Sequence, residues 1–292
     1  MTEAAAPAVP VREWSLRLHD RVVAGRLWGA EGAPLLLALH GWRDNAATFD
    51  RLAPRLADSF RVLALDLPGH GRSDPRQRDG GYAIWSYLDD VLAILQTLGE
   101  PRVRLLGHSM GAAVACLFAA TFPERVESVV MLDALGPLSV PPTQAPAQLR
   151  KALLQKADWN PAQRSYYPSR EAAIEARARV GLRFDSAALL AARNLGQDAQ
   201  GWYWQSDRRL ARANPLSLSE EQVQAFLREI RCPVLLVKAT GGDYWHKHAA
   251  AYAERLRCFA AMRTVELPGH HHQHLEGEVE AVAQAVRDFL ER

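Results

Sequence analysis

Lysine is nearly missing from this chain. Lys151, Lys156, Lys238 and Lys247 are the only four, against 31 arginines. The 35 basic residues are almost matched by 33 acidic ones, so the formal charge is only +2. A nucleic-acid binder would show a concentrated basic excess, and arginines spread along the whole chain define no such patch. No uninterrupted apolar run approaches the ~18 residues of a membrane span, so none is expected. The three cysteines, Cys116, Cys232 and Cys258, show no CxxC spacing. Their odd number fits reduced thiols in a cytoplasm. Residues Met1 to Pro10 lack a basic start and a continuous apolar stretch, so they read as a frayed tail and not a signal peptide. The expectation is a soluble, cytoplasmic protein.

What is present is ample apolar material. Of the 292 residues 48% are hydrophobic and 23% charged, enough for one large domain or one domain with a sizeable insertion. Trp14, Leu16 and Leu18 alternate with polar neighbours, and Val22 to Trp28 follow a turn, which predicts an antiparallel pair. The pattern then changes to short continuous apolar runs at 34–39, 62–65, 103–106, 129–132 and 234–237, with a weaker one at 264–267. Such runs suit strands buried on both faces of a parallel sheet. Helical spacing marks Phe49, Leu52 and Leu56, then Leu88 to Leu98, then Gly111 towards Phe122, and last Val279 to Leu290. Alternation of this kind predicts a doubly wound, mostly parallel α/β sheet with right-handed crossovers.

One interval breaks the rhythm. Residues 136–230 offer no strand candidate and read as helical. They carry 13 basic and 9 acidic residues, a net +4. The expected division is a core of 1–135 and 231–292 with a helical cap inserted at 136–230.

The strongest chemical signal is Gly107-His108-Ser109-Met110-Gly111, a G-x-S-x-G between a buried strand and an Ala-rich helix. Glycine flanks permit a turn sharp enough to hold the serine in a strained conformation with its Oγ clear of the sheet. The helix start brings backbone N–H groups and a positive dipole end close by. A second signal, Leu39-His40-Gly41-Trp42, follows the first parallel strand. An acyl-transfer transition state develops a negative oxygen that needs two donors about 3 Å away. The backbone N–H groups of Trp42 and Met110 are the candidates, with His40, Gly41, His108 and Trp202 expected around the substrate.

The third signal is Gly269-His270-His271-His272-Gln273-His274-Leu275-Glu276, after the last strand and so at the same sheet edge as Ser109. A hydrolytic serine needs a neutral imidazole near pH 7 as its base. No HExxH or acidic ligand pattern accompanies these histidines, so no metal is expected. Two aspartates compete as the third member. Asp133 ends the strand after the nucleophile helix, 24 residues beyond Ser109, and Asp243 follows the next strand. The order Ser, Asp, His fits both. The loop Asp66 to Asp74 reads as structural. Asp207 with Arg208 and Arg209 reads as a docking ion pair.

These residues resemble the α/β-hydrolase superfamily, and within it the serine hydrolase-like branch of cap-bearing esterases, over nearly the whole chain. The resemblance rests on His40 to Asp50 as an oxyanion loop, Asp66 to Ser73 as the second loop and Gly107 to Gly111 as the nucleophile elbow. It selects His271, five residues before Glu276, over the alternative His270. The usual acid position, nine residues past Pro233, is Gly242, so Asp243 requires a slip. Some relatives instead carry the acid where Asp133 stands, and Asp133 is preferred. A serine at the elbow, where dehalogenases and epoxide hydrolases of this fold have aspartate, implies attack on an acyl carbonyl. The resemblance implies a serine hydrolase of small carboxylic esters that works through an acyl-enzyme without a cofactor. Thioesterase, lactonase, C–C hydrolase and perhydrolase share the same triad and stay open as alternatives. So does a non-catalytic ligand-binding or signalling protein. The oligomeric state is not specified by the sequence.

Overall fold

Ten strands form among the residues described by the computed structural model, which are 10–18, 20–77, 80–160, 163–241, 245 and 248–291. They are β1 (Arg12–Leu18), β2 (Arg21–Trp28), β3 (Leu35–Leu39), β4 (Arg61–Leu65), β5 (Val103–His108) and β6 (Val126–Leu132). After them come β7 (Leu195–Asp198), β8 (Gly201–Trp204), β9 (Val234–Ala239) and β10 (Met262–Leu267). Eight of these make one sheet in the order β1-β2-β4-β3-β5-β6-β9-β10. The first two pairings, β1 with β2 and β2 with β4, are antiparallel and all the others are parallel. This is the mostly parallel α/β sheet expected.

The period of two explains why the central strands are apolar throughout. Leu35, Leu37 and Leu39 of β3 face one core cluster while Leu36 and Ala38 face another. The first cluster is closed by α1 (Ser86–Leu98) and α2 (Met110–Thr121), the second by a helix near the chain end. That helix repeats Val279, Val282, Ala283, Val286 and Leu290 along one buried face, at the spacing of a one-sided helix. The segment marked by Phe49, Leu52 and Leu56 departs from expectation. It forms two 3-10 turns, Ala46–Phe49 and Ala53–Arg55, and no α-helix. Pro54 supplies no N–H to continue a helix, and the Asn45 side chain caps the first turn by accepting from Ala47 N.

The interval between β6 and β9 holds α3 (Ala145–Ala157), α4 (Arg170–Ala178), α5 (Phe184–Asn194) and α6 (Glu220–Glu229). It also holds β7 and β8, paired antiparallel as a separate hairpin. The expectation of a strandless interval is therefore corrected. Trp202, Tyr203 and Trp204 are good strand formers, and their short pairing needs no alternating run. α4 and α5 pack through Ile174, Leu190 and Ala191 onto Ala47 and Leu275. α6 instead sends Val223 and Leu227 into the cluster shared with α2. The helices α7 (Ala249–Leu256) and α8 (Val279–Leu290) follow β9 and β10 respectively. No helix among the described residues is long and apolar enough to cross a membrane. The three cysteines are unpaired.

Candidate active site

Every parallel strand points its C-terminal end to the same edge, so the chain segments after β3, β4, β5, β6 and β10 meet there. Ser109 stands between β5 and α2 with φ 52° and ψ −114°. Only three described residues other than glycine have positive φ, Arg43, Ser109 and Asp133, and all three lie in the loops at this edge. A side-chain-bearing residue in that region is strained by about 1–3 kcal/mol and needs its surroundings to hold it. The two flanking glycines are required by contact. A Cβ on Gly107 would lie 2.4 Å from Ala112 N, and one on Gly111 only 1.9 Å from the Leu39 carbonyl oxygen. β5, α2 and β3 therefore close around Ser109 only with glycine on both sides.

His271 and Asp133 come together across the edge. His271 Nδ1 lies 2.7 Å from Asp133 Oδ2, so the ring donates there and leaves Nε2 with its lone pair. Asp133 is 1% exposed. Its other oxygen accepts from the Ala239 backbone N–H at 2.9 Å and from the Trp245 indole. Each carboxylate oxygen thus has a defined partner. His270 is exposed, and among these two histidines only His271 lines the cavity beside Ser109. Asp243, the other candidate acid, lies outside the described residues.

Beneath this pair is a buried network that nothing in the sequence pointed out. Asp44 accepts from His272 Nε2 at 3.1 Å on one oxygen and from Arg177 of α4 on the other. Burial opposes its charge, but His272 and Arg177 outweigh burial and hold its carboxyl well below the usual range. His108 donates from Nε2 to the His271 carbonyl at 2.8 Å, so it supports the backbone of the histidine above it. Burial, then the neighbouring rings of His274, His271 and His272, push His108 well below an ordinary histidine. His274 is lowered in the same way and sits 2.9 Å from the Thr48 hydroxyl. Asp44, His108 and His272 bring one donor atom each within 4.8 Å of one another, the one such set among the described residues. A cation there would face the Arg177 guanidinium already paired with Asp44, so this donor set is poorly disposed to hold a metal.

Ser109, His271 and Gly41 line a cavity of about 820 Å³ between the sheet edge and the inserted helices. Trp42 lines it too and donates its indole N–H to Leu210 O at 3.1 Å. Met110 is the first residue of α2, and the first four N–H groups of a helix have no intrahelical acceptor. Two expected substrate contacts fall elsewhere. His40 is fully buried, its Nδ1 donating to Gly41 O and its Nε2 accepting from Leu67 N, so it fastens two loops and does not line the cavity. Trp202 also stands off the cavity wall, while Trp204 is part of it. The two share a face of β8, but two residues of strand displace them by about 6.6 Å.

The inserted helices are fastened to the edge by ion pairs. Arg193 of α5 and Asp66 are both fully buried, with Arg193 Nε 2.8 Å from Asp66 Oδ2. Asp66 also accepts from Ala46 N and Arg72 N, which fits the structural reading of its loop. Asp207 pairs with Arg209 at 2.6 Å and accepts from the Tyr82 hydroxyl at 2.6 Å.

A family model described as alpha/beta hydrolase fold matches residues 34–278. A serine hydrolase-like protein of Danio rerio is 32% identical over 276 residues, covering 91% of this chain and 84% of its own. Serine hydrolase-like protein 2 of Homo sapiens is 30% identical, covering 100% of this chain and 97% of its own. The crystal structure of the hypothetical protein PA1622 from Pseudomonas aeruginosa PAO1 superposes with a TM-score of 0.90 at 38% identity, over 96% of this chain and 99% of that one.

Proposed function

The chain belongs to the α/β-hydrolase family, in its serine hydrolase-like branch, and from that premise we propose that it hydrolyses small carboxylic esters through Ser109, His271 and Asp133. The observation that carries the reading is the 2.7 Å bond from His271 Nδ1 to Asp133, on a histidine sharing one cavity with the strained Ser109.

In this mechanism His271 Nε2 takes the Ser109 proton as Oγ attacks the acyl carbon. The carbonyl electrons move onto oxygen, where the Trp42 and Met110 N–H groups stabilise them. Losing one such donor typically costs about 2.7–4 kcal/mol of barrier. Collapse of the intermediate breaks the bond to the alcohol, which leaves with the proton from His271. Water then gives a proton to His271 and attacks the Ser109 acyl ester, releasing the acid and restoring the hydroxyl. Asp133 keeps the imidazole in the tautomer that both halves need and stabilises its protonated form. Residues 136–230 serve as the cap, with α3, α4, α5 and the β7–β8 hairpin roofing the cavity and α6 anchored in the core.

The test is turnover of p-nitrophenyl butyrate, with acyl-enzyme trapped by acid quench and read by intact mass and peptide mapping. An acyl adduct on Ser109, absent from Ser109→Ala, supports the reading. Thioester and lactone panels then separate the bond types that the same attack can cleave. Turnover undiminished in Ser109→Ala would overturn it.

A further inference from the structure

The charges that face the cavity are unevenly spent. Its acidic members are Asp44, Asp158 and Asp207. Asp44 is consumed by Arg177 and His272. Asp207 is consumed by Arg209, which bonds both carboxylate oxygens, and by Tyr82. The basic members include Arg43, Arg208 and Arg212. None of these three has a carboxylate within ion-pair distance among the described residues; Arg43 and the remaining acid, Asp158, are both exposed. Of the arginines without a carboxylate partner, Arg208 and Arg212 are the two that are partly buried in the cavity wall.

Two of these arginines are held in place without using up their donors. The Arg212 guanidinium lies 3.9 Å from the centre of the Trp159 ring and that of Arg208 lies 4.7 Å from it. A guanidinium packed over an aromatic face is held there while its N–H groups, which lie in its own plane, stay available to other acceptors. Arg208 gives one N–H to the Asn160 carbonyl. Arg212 Nε is buried and has no hydrogen-bond partner. Burial, then Arg209 and Arg208, lower its affinity for the proton, the direction expected where like charges crowd together with too little counter-charge. Arg208, Arg209 and Arg212 follow one another within five residues around a 3-10 turn, Arg208–Ala211. Clustering of like charges costs free energy that an anion placed among them offsets.

We propose that Arg208 and Arg212, framed on Trp159, bind an anionic group of the substrate, a carboxylate or a phosphate remote from the bond cleaved at Ser109. The proposal rests on the hydrolase reading of Ser109 and names the class of ester that the cap admits. The guanidinium forks match the planar oxygens of a carboxylate and the oxygens of a phosphate alike.

Matched substrate pairs test it. The carboxylate arm compares mono-p-nitrophenyl succinate, glutarate and adipate with p-nitrophenyl butyrate, valerate and hexanoate. The phosphate arm compares butyryl-phosphopantetheine with butyryl-pantetheine. The account expects at least a tenfold higher kcat/KM for the charged member in one arm, shrinking as sodium chloride is added. That ratio should fall about tenfold in Arg212→Gln and in Arg208→Gln, and be partly restored in Arg212→Lys. Ratios near one in both arms, or a preference unmoved in the Arg208→Gln/Arg212→Gln double variant, would overturn it. If no ester is turned over at all, calorimetric titration of the chain with glutarate and with inorganic phosphate separates the two failures. Binding weakened tenfold by Arg212→Gln keeps the anion site and discards the hydrolase reading. Absence of binding to both discards the anion site.

Discussion

Replacing Asp133 by Asn changes one oxygen to NH2, and the surroundings dictate which one. Asp133 Oδ1 accepts from the Ala239 backbone N–H and from the Trp245 indole, while Oδ2 accepts from His271 Nδ1. If the new NH2 occupied the Oδ1 position, both of those donors would face another donor. Leaving two buried N–H groups unmade costs about 1–3 kcal/mol each. Even the lower bound of that sum favours the opposite orientation roughly thirtyfold. The NH2 therefore points at His271, whose Nδ1 must become the acceptor and whose Nε2 then carries the hydrogen. An imidazole in that tautomer cannot take the Ser109 proton. Asparagine also tolerates the positive φ of 51° at this position, so the backbone has no cause to move. The expected loss in kcat is about 10⁴-fold, or about 5.4 kcal/mol of barrier. Ester turnover measured beside a thermal melt separates this from unfolding. Activity within tenfold of the parent chain, with Asp133→Asn folded, would refute the reasoning. A large loss in Asp243→Asn instead would move the acid to that residue.

Gly111→Ala places a methyl 1.9 Å from the Leu39 carbonyl, so β3 and α2 must separate; a stability loss of about 3 kcal/mol is expected from denaturant melts, and an unchanged midpoint would contradict the packing described. Arg193→Ala removes the buried partner of Asp66 and should cost about 3–5 kcal/mol, read as a lower urea midpoint. Acidification should destabilise the fold through its buried histidines. Burial, aided by His40, pushes His70 down to about 3, while an unfolded histidine titrates near about 6.5. The folded state then fails to gain a proton that the unfolded state takes up, so this contribution is complete above about pH 6.5 and is lost as pH falls towards 3. At pH 5 the loss from His70 alone is about 2 kcal/mol, and His40, His108 and His274 are shifted in the same direction. Urea midpoints should therefore be lower at pH 5.0 than at pH 7.5; equal midpoints would argue against the buried neutral histidines.

Much of this architecture is legible before any coordinates. The central strands announce themselves because both faces of a parallel sheet are covered, which makes Leu35 to Leu39 and Val129 to Leu132 apolar without interruption. Ser109 is legible because the steric demands on Gly107 and Gly111 are local to five residues. What escaped depends on partners far apart in sequence. Asp44 meets Arg177 across 133 residues and His272 across 228, and Asp133 meets Trp245 across 112. Spacing carries no record of such pairs. The aromatic content of Trp202 is visible in sequence, while the reach of a short hairpin, which sets it off the cavity wall, is not. The place of His40 after β3 points to the site, but its two ring nitrogens are taken by Gly41 O and Leu67 N. The 3-10 turns after β3 look helical in sequence because apolar spacing does not register the missing N–H of Pro54.

The central claim is that Ser109 is an activated nucleophile with His271 as its base, and labelling with a fluorophosphonate tests it most directly. The account predicts a single adduct on Ser109 by peptide mapping, lost in His271→Ala and retained in His270→Ala. Folded chain that takes up no label, or label that survives in His271→Ala at the parent rate, would contradict it.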